Sequence, residues 1–296
     1  MNTPPADGAA VRAEAAAWQR AAERPASDHD ALVRGGRLHY RAWSRGVGPL
    51  LLLVHGFRGH SHWWDWIAPA FADHYDVVAM DLSGMGDSAW RTSYEPDCFA
   101  LDILGLIDHL GAGPAVVVGH SFGGGSLLRA CAIDSETTLP HRIAHAIVVD
   151  TWVRLQGQPT IDGGPLGGRR HYADYATARS RFRLEPPQPV LDDAMLDHLA
   201  RHSLREVDGT WRWKFDPDLA GPPSQDGRAL LRRIRHRTDI VYGESSVIVN
   251  RERAEACVAE VRRGRGPFAV PRAGHHLMLD EPAALIATLR ALLARR

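Results

Sequence analysis

Ser121 lies in the run Val116-Val117-Val118-Gly119-His120-Ser121-Phe122-Gly123-Gly124, a Gly-x-Ser-x-Gly turn directly after a β-branched apolar stretch. A strand-to-helix turn this tight needs small residues two before and two after the serine, and Gly119 and Gly123 meet that demand. The turn lifts the Ser121 hydroxyl to a helix N-terminus, where backbone N–H groups and the helix dipole favour developing negative charge. The chemistry this implies is nucleophilic attack on a carbonyl carbon. A serine nucleophile needs a base, and Ala273-Gly274-His275-His276 follows a short strand-like run near the C-terminus. The first histidine of the pair, His275, is the expected general base, with His276 as packing or lining.

A third signal lies upstream. Pro49-Leu50-Leu51-Leu52-Leu53-Val54-His55-Gly56-Phe57 reads as a buried strand ending in His-Gly. Oxyanion loop, serine, then late histidine is the chain order of an α/β-hydrolase, and from about Leu32 to the C-terminus the chain resembles that superfamily. The resemblance implies an oxyanion hole made by the backbone N–H groups of Phe57 and Phe122. Asp81-Leu82-Ser83-Gly84-Met85-Gly86-Asp87-Ser88 is similar to the family's Asp-x-x-Gly-x-Gly-x-Ser loop and reads as structural. The segment Gly209 to Pro217 is similar to one in capped serine hydrolases, including the serine hydrolase-like proteins.

The acid departs from the common pattern. Most members of the superfamily carry Asp in a Gly-x-x-Asp motif, whereas here Gly243-Glu244-Ser245-Ser246 ends in serine. A second location in the fold, used by one class of haloalkane dehalogenases, is the end of the strand before the cap. Ala146-Ile147-Val148-Val149-Asp150 ends there, so Asp150 is the expected acid and Glu244 the reserve candidate. Relatives that open epoxides or displace halide use Asp at the elbow, and Ser121 argues against both chemistries.

These residues need a scaffold, and its rhythm is legible. Residues 31–34 and 37–43 read as a hairpin turning at Gly35-Gly36. Strands at 50–54, 77–81, 115–119 and 144–150 alternate with helices at 63–72, 99–110 and 122–133, which implies a mostly parallel central sheet flanked by helices. After the sixth strand the rhythm fails for roughly 85 residues, too long for a loop. Helical stretches at 173–182 and 192–205 make this a helical cap. The expected division is an N-terminal arm over 1–27 with a helix at 13–24, an α/β-hydrolase core over 28–150 and 237–296, and a cap or lid over 151–236. The last elements expected are a helix at 251–262, a strand at 267–270 and a helix at 282–296.

Composition narrows the class. With 296 residues, zero formal net charge and 45% hydrophobic residues, the chain fits one catalytic domain with an insertion, with no field to draw in nucleic acid or an anionic membrane. Cys98, Cys131 and Cys257 are scattered and read as buried thiols of a reducing, cytoplasmic compartment. No apolar run approaches the roughly 18 residues of a membrane span. Among the sixteen histidines, His198, His202 and His236 read as solvated or structural. No His-x-x-x-His pair is taken as a metal site, and neither metal nor cofactor is expected. The expected partner is a small-molecule substrate, with oligomeric state open and a homodimer one option.

Arg58 and Trp152 are the candidate substrate-binding residues. Trp63, Trp64 and Trp66, with Tyr172, Tyr175, Phe182, Trp211 and Trp213 of the cap, suggest an aromatic pocket of which only one or two tryptophans reach the substrate. The expectation is hydrolysis of a small to medium ester or thioester through Ser121, His275 and Asp150. A carbon–carbon bond hydrolase or lyase and a non-catalytic ligand-binding homologue are the alternatives.

Overall fold

The computed structural model of the protein describes residues 25–43, 46, 48–137, 141–155, 170–219 and 227–294. The helix expected at 13–24 lies outside them. The strands of the central sheet are β1 (Ser27–Val33), β2 (Gly36–Trp43), β3 (Leu50–Val54), β4 (Asp76–Met80), β5 (Ala115–His120), β6 (Ile143–Val149), and two placed after the insertion. Within the insertion, β7 (Leu204–Val207) and β8 (Thr210–Trp213) form a separate hairpin, and β9 (Arg237–Gly243) and β10 (Gly264–Val270) complete the sheet. Its order is β1-β2-β4-β3-β5-β6-β9-β10. The β1–β2 and β2–β4 pairings are antiparallel and the rest parallel, so the antiparallel edge is confined to the first strands.

Alternation along the central strands divides the core. Leu50, Leu52 and Val54 of β3 join one buried cluster while Leu51 and Leu53 join the other, which is why these strands read as unbroken apolar runs. Helices α1 (Cys98–Leu110) and α2 (Phe122–Asp134) cover the first face with Ile103, Leu106, Leu127 and Leu128. In the insertion, α3 (Tyr175–Arg179), α4 (Asp193–Ser203) and α5 (Gly227–Arg233) precede β9. Of these, Met195 and Leu199 of α4 pack on the second face, beside Trp64, Ile67 and Phe71. Helix α6 (Arg251–Glu260) returns to the first face, and α7 (Leu277–Asp280) and α8 (Pro282–Ala294) lie on the second.

Several elements differ from expectation, among them β1, which begins at Ser27, and β10, which begins at Gly264. The hairpin turns one residue earlier, at Arg34-Gly35, both with positive φ (52° and 74°), because β1 and β2 pair Val33 with Gly36. Residues 63–72 form two short 3₁₀ turns, Ser61–Trp64 and Ala68–Ala70, rather than one helix, with Pro69 interrupting the α pattern. The helix expected at 173–182 holds only as α3. The one expected to reach 205 ends at Ser203, where Leu204 starts the unanticipated β7–β8 hairpin around Asp208-Gly209, with φ of 50° and 73°. No helix among the described residues is long and apolar enough to cross a membrane.

Candidate active site

The connections after β3, β4, β5, β6, β9 and β10 meet at the carboxyl edge of the parallel strands. Ser121 sits between β5 and α2 with φ 51° and ψ −118°, a strained conformation held from three sides. Its N–H donates to the Val149 carbonyl at 2.9 Å, and its own carbonyl accepts from the Gly125 N–H at 3.1 Å and the Thr151 hydroxyl at 3.0 Å. The flanking glycines are obligatory: a Cβ on Gly119 would stand 2.6 Å from the Gly123 carbonyl oxygen, and one on Gly123 2.3 Å from that of His55.

The oxyanion loop is set against this turn by the histidine that precedes it. Fully buried His55 donates from Nδ1 to the Gly56 carbonyl at 2.7 Å, and its Nε2 accepts from the Leu82 N–H at 3.1 Å. That pattern fixes one neutral tautomer, and burial lowers the ring's pKa. Asp81 reinforces the arrangement from the loop after β4, accepting from the N–H groups of Ser61 at 2.5 Å and Asp87 at 2.8 Å. The Phe57 and Phe122 rings lie 5.2 Å apart, and their two N–H groups donate to no acceptor among the described residues.

His275 follows β10, and its Nδ1 lies 2.7 Å from Asp150 Oδ2. Asp150 is fully buried at the end of β6 with φ 42°. Its Oδ1 accepts from the Gly243 N–H at 2.8 Å, and its Oδ2 also accepts from the Ser246 hydroxyl at 2.6 Å. Ser246 in turn accepts from the N–H groups of Ile248 and Val249. Glu244 lies elsewhere: its exposed carboxylate accepts from the Arg272 N–H at 3.2 Å.

His120, the middle residue before the serine, donates from Nε2 to the His275 carbonyl at 2.8 Å and so ties the two loops together. His276 is buried with its ring 5.2 Å from that of Trp63, and burial, with the adjacent His275, pushes it down to about 3. Gln188 of the insertion brackets its backbone, accepting from the His276 N–H at 2.8 Å.

Ser121, His275 and His276 line one cleft of about 430 Å³. Arg58 is in its wall, 4.4 Å over the Phe215 ring and 5.2 Å over that of Phe57. Burial lowers the Arg58 pKa, and Glu185 opposes that shift. Trp63, Tyr172, Phe182 and Trp213 also line the cleft. Trp152 does not: Thr151 is drawn onto the Ser121 carbonyl, and Trp152 packs against the core cluster instead. Tyr175 and Trp211 meet edge to face, with ring centroids 5.1 Å apart, and neither lines the cleft. Residue types and spacing alone do not point to the support from Ser246 and His120, nor to Arg170, Arg181 and Arg183, which with Glu185 make the cleft lining charged as well as aromatic. The serine's place in Gly-x-x-Ser was the available signal for Ser246.

Sheet order, elbow and cleft together define an enzyme of the hydrolase class. Residues 51–288 match the Alpha/beta hydrolase family, and the chain belongs to it. It is 27% identical over 279 residues to the esterase Rv0045c of Mycobacterium tuberculosis, covering 89% of each. The crystal structure of that esterase superposes with a TM-score of 0.72, covering 99% of both chains at 22% identity. A 2-(acetamidomethylene)succinate hydrolase of Mesorhizobium japonicum is 26% identical, covering 85% of this chain and 91% of its own. The thioesterase domain of the curacin biosynthetic pathway superposes with a TM-score of 0.72 at 23% identity, covering 90% of this chain and 99% of the domain.

Proposed function

We propose that the protein is a serine hydrolase that cleaves small to medium esters or thioesters through an acyl-enzyme. The observation that carries this reading is the 2.7 Å contact from His275 Nδ1 to buried Asp150, with His275 and Ser121 sharing one cleft. His275 Nε2 takes the Ser121 proton as Oγ attacks the carbonyl carbon, and Asp150 holds the ring's tautomer and balances the imidazolium. The Phe57 and Phe122 N–H groups receive the oxyanion, and α2 begins at Phe122, where an amide has no intrahelical acceptor. Collapse of the tetrahedral intermediate expels the alcohol or thiol, protonated by His275, and water then releases the acid by the same steps in reverse roles.

Residues 151–236 act as a cap that sets substrate shape. Arg170, Arg181 and Arg183 at the mouth favour a substrate whose outer end is anionic, while Phe57, Phe182 and Trp213 favour an apolar acyl part. The same esters with and without a terminal carboxylate, tried at low and high salt, resolve the two contributions. Hydrolysis of p-nitrophenyl esters of increasing acyl length by the wild type and by Ser121→Ala tests the central claim. Turnover lost by about 10⁴-fold or more in the variant, with stoichiometric fluorophosphonate labelling of wild-type Ser121, is the expected result. Labelling without ester turnover would point to carbon–carbon bond cleavage, and absence of both to a ligand-binding role.

A further inference from the structure

The histidines outside the cleft are not scattered. His198 and His202, four residues apart on one face of α4, meet His62 of the Ser61–Trp64 turn, and one ligand nitrogen from each lies within 4.8 Å of the others. Spacing alone marks no His-x-x-x-His pair as a metal site, yet His198 and His202 are such a pair. Asp65 joins them: its Oδ2 is 2.8 Å from His62 Nδ1 and 2.8 Å from His198 Nε2. Arg41 pairs with the other oxygen, Oδ1, which leaves Oδ2 to the imidazoles. The His202 ring stacks on that of His62 with centroids 3.5 Å apart. Nearby His60 is engaged otherwise, with Nε2 2.9 Å from the Ser203 hydroxyl.

We propose that His62, His198 and His202, with Asp65 Oδ2, form a binding site for a divalent transition ion of the zinc class at the seam between α4 and the Ser61–Trp64 turn. Imidazole nitrogens with one carboxylate oxygen are the donor set such ions prefer. Ligands about 2.0–2.1 Å from a tetrahedral ion stand roughly 3.3 Å apart, so the 2.8 Å contacts need open by only about half an ångström as the ion replaces the shared protons. A turn of the stacked His202 ring supplies the third nitrogen, and water completes the shell. The seam is within reach of solvent, His198 being 35% exposed and His62 12%. Two cleft-lining residues, Trp63 and Ser203, are chain neighbours of His62 and His202. An ion here would therefore fasten α4 to the chain just beyond the oxyanion loop. Its role is to hold the cleft wall, and the reacting atoms are untouched.

The test is zinc titration of the full chain after chelator dialysis, followed by calorimetry, with cobalt as a visible-absorption probe. Expected are one ion per chain at about 10 µM or tighter, tetrahedral cobalt bands, and affinity weakened by about 100-fold in His198→Gln and His202→Gln but retained in His276→Gln. Absence of saturable binding below about 100 µM, or binding indifferent to the α4 substitutions, overturns the proposal. X-ray absorption of the zinc-loaded wild type settles the matter should those variants fail to fold. Imidazole scattering with a first shell near about 2.0 Å supports the site, and a shell without imidazole overturns it.

Discussion

Strand β6 has a histidine–aspartate pair toward each end, and the two pairs sit in different electrostatic surroundings. Near its start, His145 Nε2 meets Asp239 Oδ2 at 2.9 Å. Just past its end, Asp150 Oδ2 meets His275 Nδ1 at 2.7 Å. Both carboxylates are fully buried. Asp239 also faces Arg237 at 3.3 Å and Arg265 at 3.6 Å, so its charge is already balanced. Burial alone would raise the Asp239 pKa, but His145 and these arginines outweigh it and hold the carboxyl below its ordinary value. Around Asp150 the other donors are neutral: the Gly243 N–H and the Ser246 hydroxyl, with no arginine or lysine in ion-pair range among the described residues. A balanced carboxylate gains little from a nearby imidazolium, whereas an unbalanced one favours its formation strongly. Contact distance alone therefore does not single out the pair proposed as catalytic. What distinguishes Asp150 is the absence of any other cation and a partner ring that opens on the cleft.

The most severe way to break this contrast is at Asp150. Asp150→Asn is expected to lower kcat by about 10³-fold or more with the fold retained, whereas Glu244→Gln stays within about threefold, read by steady-state kinetics and circular dichroism. At the other end, Asp239→Asn leaves the rate within about twofold but costs about 3 kcal/mol of stability, read by urea unfolding, because His145, Arg237 and Arg265 lose their shared partner. Ser246→Ala sharpens the comparison, since it removes a neutral donor from the acid without removing charge. A loss of about tenfold in kcat with an altered pH profile is expected.

The smallest effect concerns acid stability. His276 and His202 are held neutral in the fold, pushed down to about 3 chiefly by burial, against an unfolded value of 6.5. The unfolded chain therefore binds more protons between those values, and stability falls as pH drops from about 6.5 toward about 3. Thermal midpoints measured from pH 7 to pH 4 should decline, and less steeply in His276→Gln.

Much of this was legible from residue types. The elbow required Gly119 and Gly123, the apolar runs specified buried parallel strands, and Asp150 was conspicuous as the polar end of one of them. The missing carboxylate at Ser246 pointed away from the usual acid, but that the serine would hydrogen-bond the relocated acid is a contact across 96 positions that spacing does not encode. The β7–β8 hairpin did have a local signal, Asp208-Gly209, hidden because the preceding helical pattern runs directly into Leu204. Trp152 packs on the core rather than lining the cleft, because nearness to Asp150 in sequence does not encode which side its ring takes. The seam of histidines is not encoded in local spacing, because its halves come from segments more than a hundred residues apart.

The interlocking glycines bear on how the protein can change. A Cβ at Gly56 would stand 3.1 Å from His120 Nδ1, as those at Gly119 and Gly123 would strike the Gly123 and His55 carbonyls. The Ser121 turn and the His55-Gly56 loop are thus a single casting, in which a side chain at any of these glycines would displace its neighbours. Tyr172, Phe182 and Trp213 also line the cleft, but they come from the insertion and take no part in those glycine contacts. Variation there can redraw the set of accepted substrates while the reacting groups stay as they are. A library aimed at new substrates belongs in that stretch of the insertion and nowhere near the elbow.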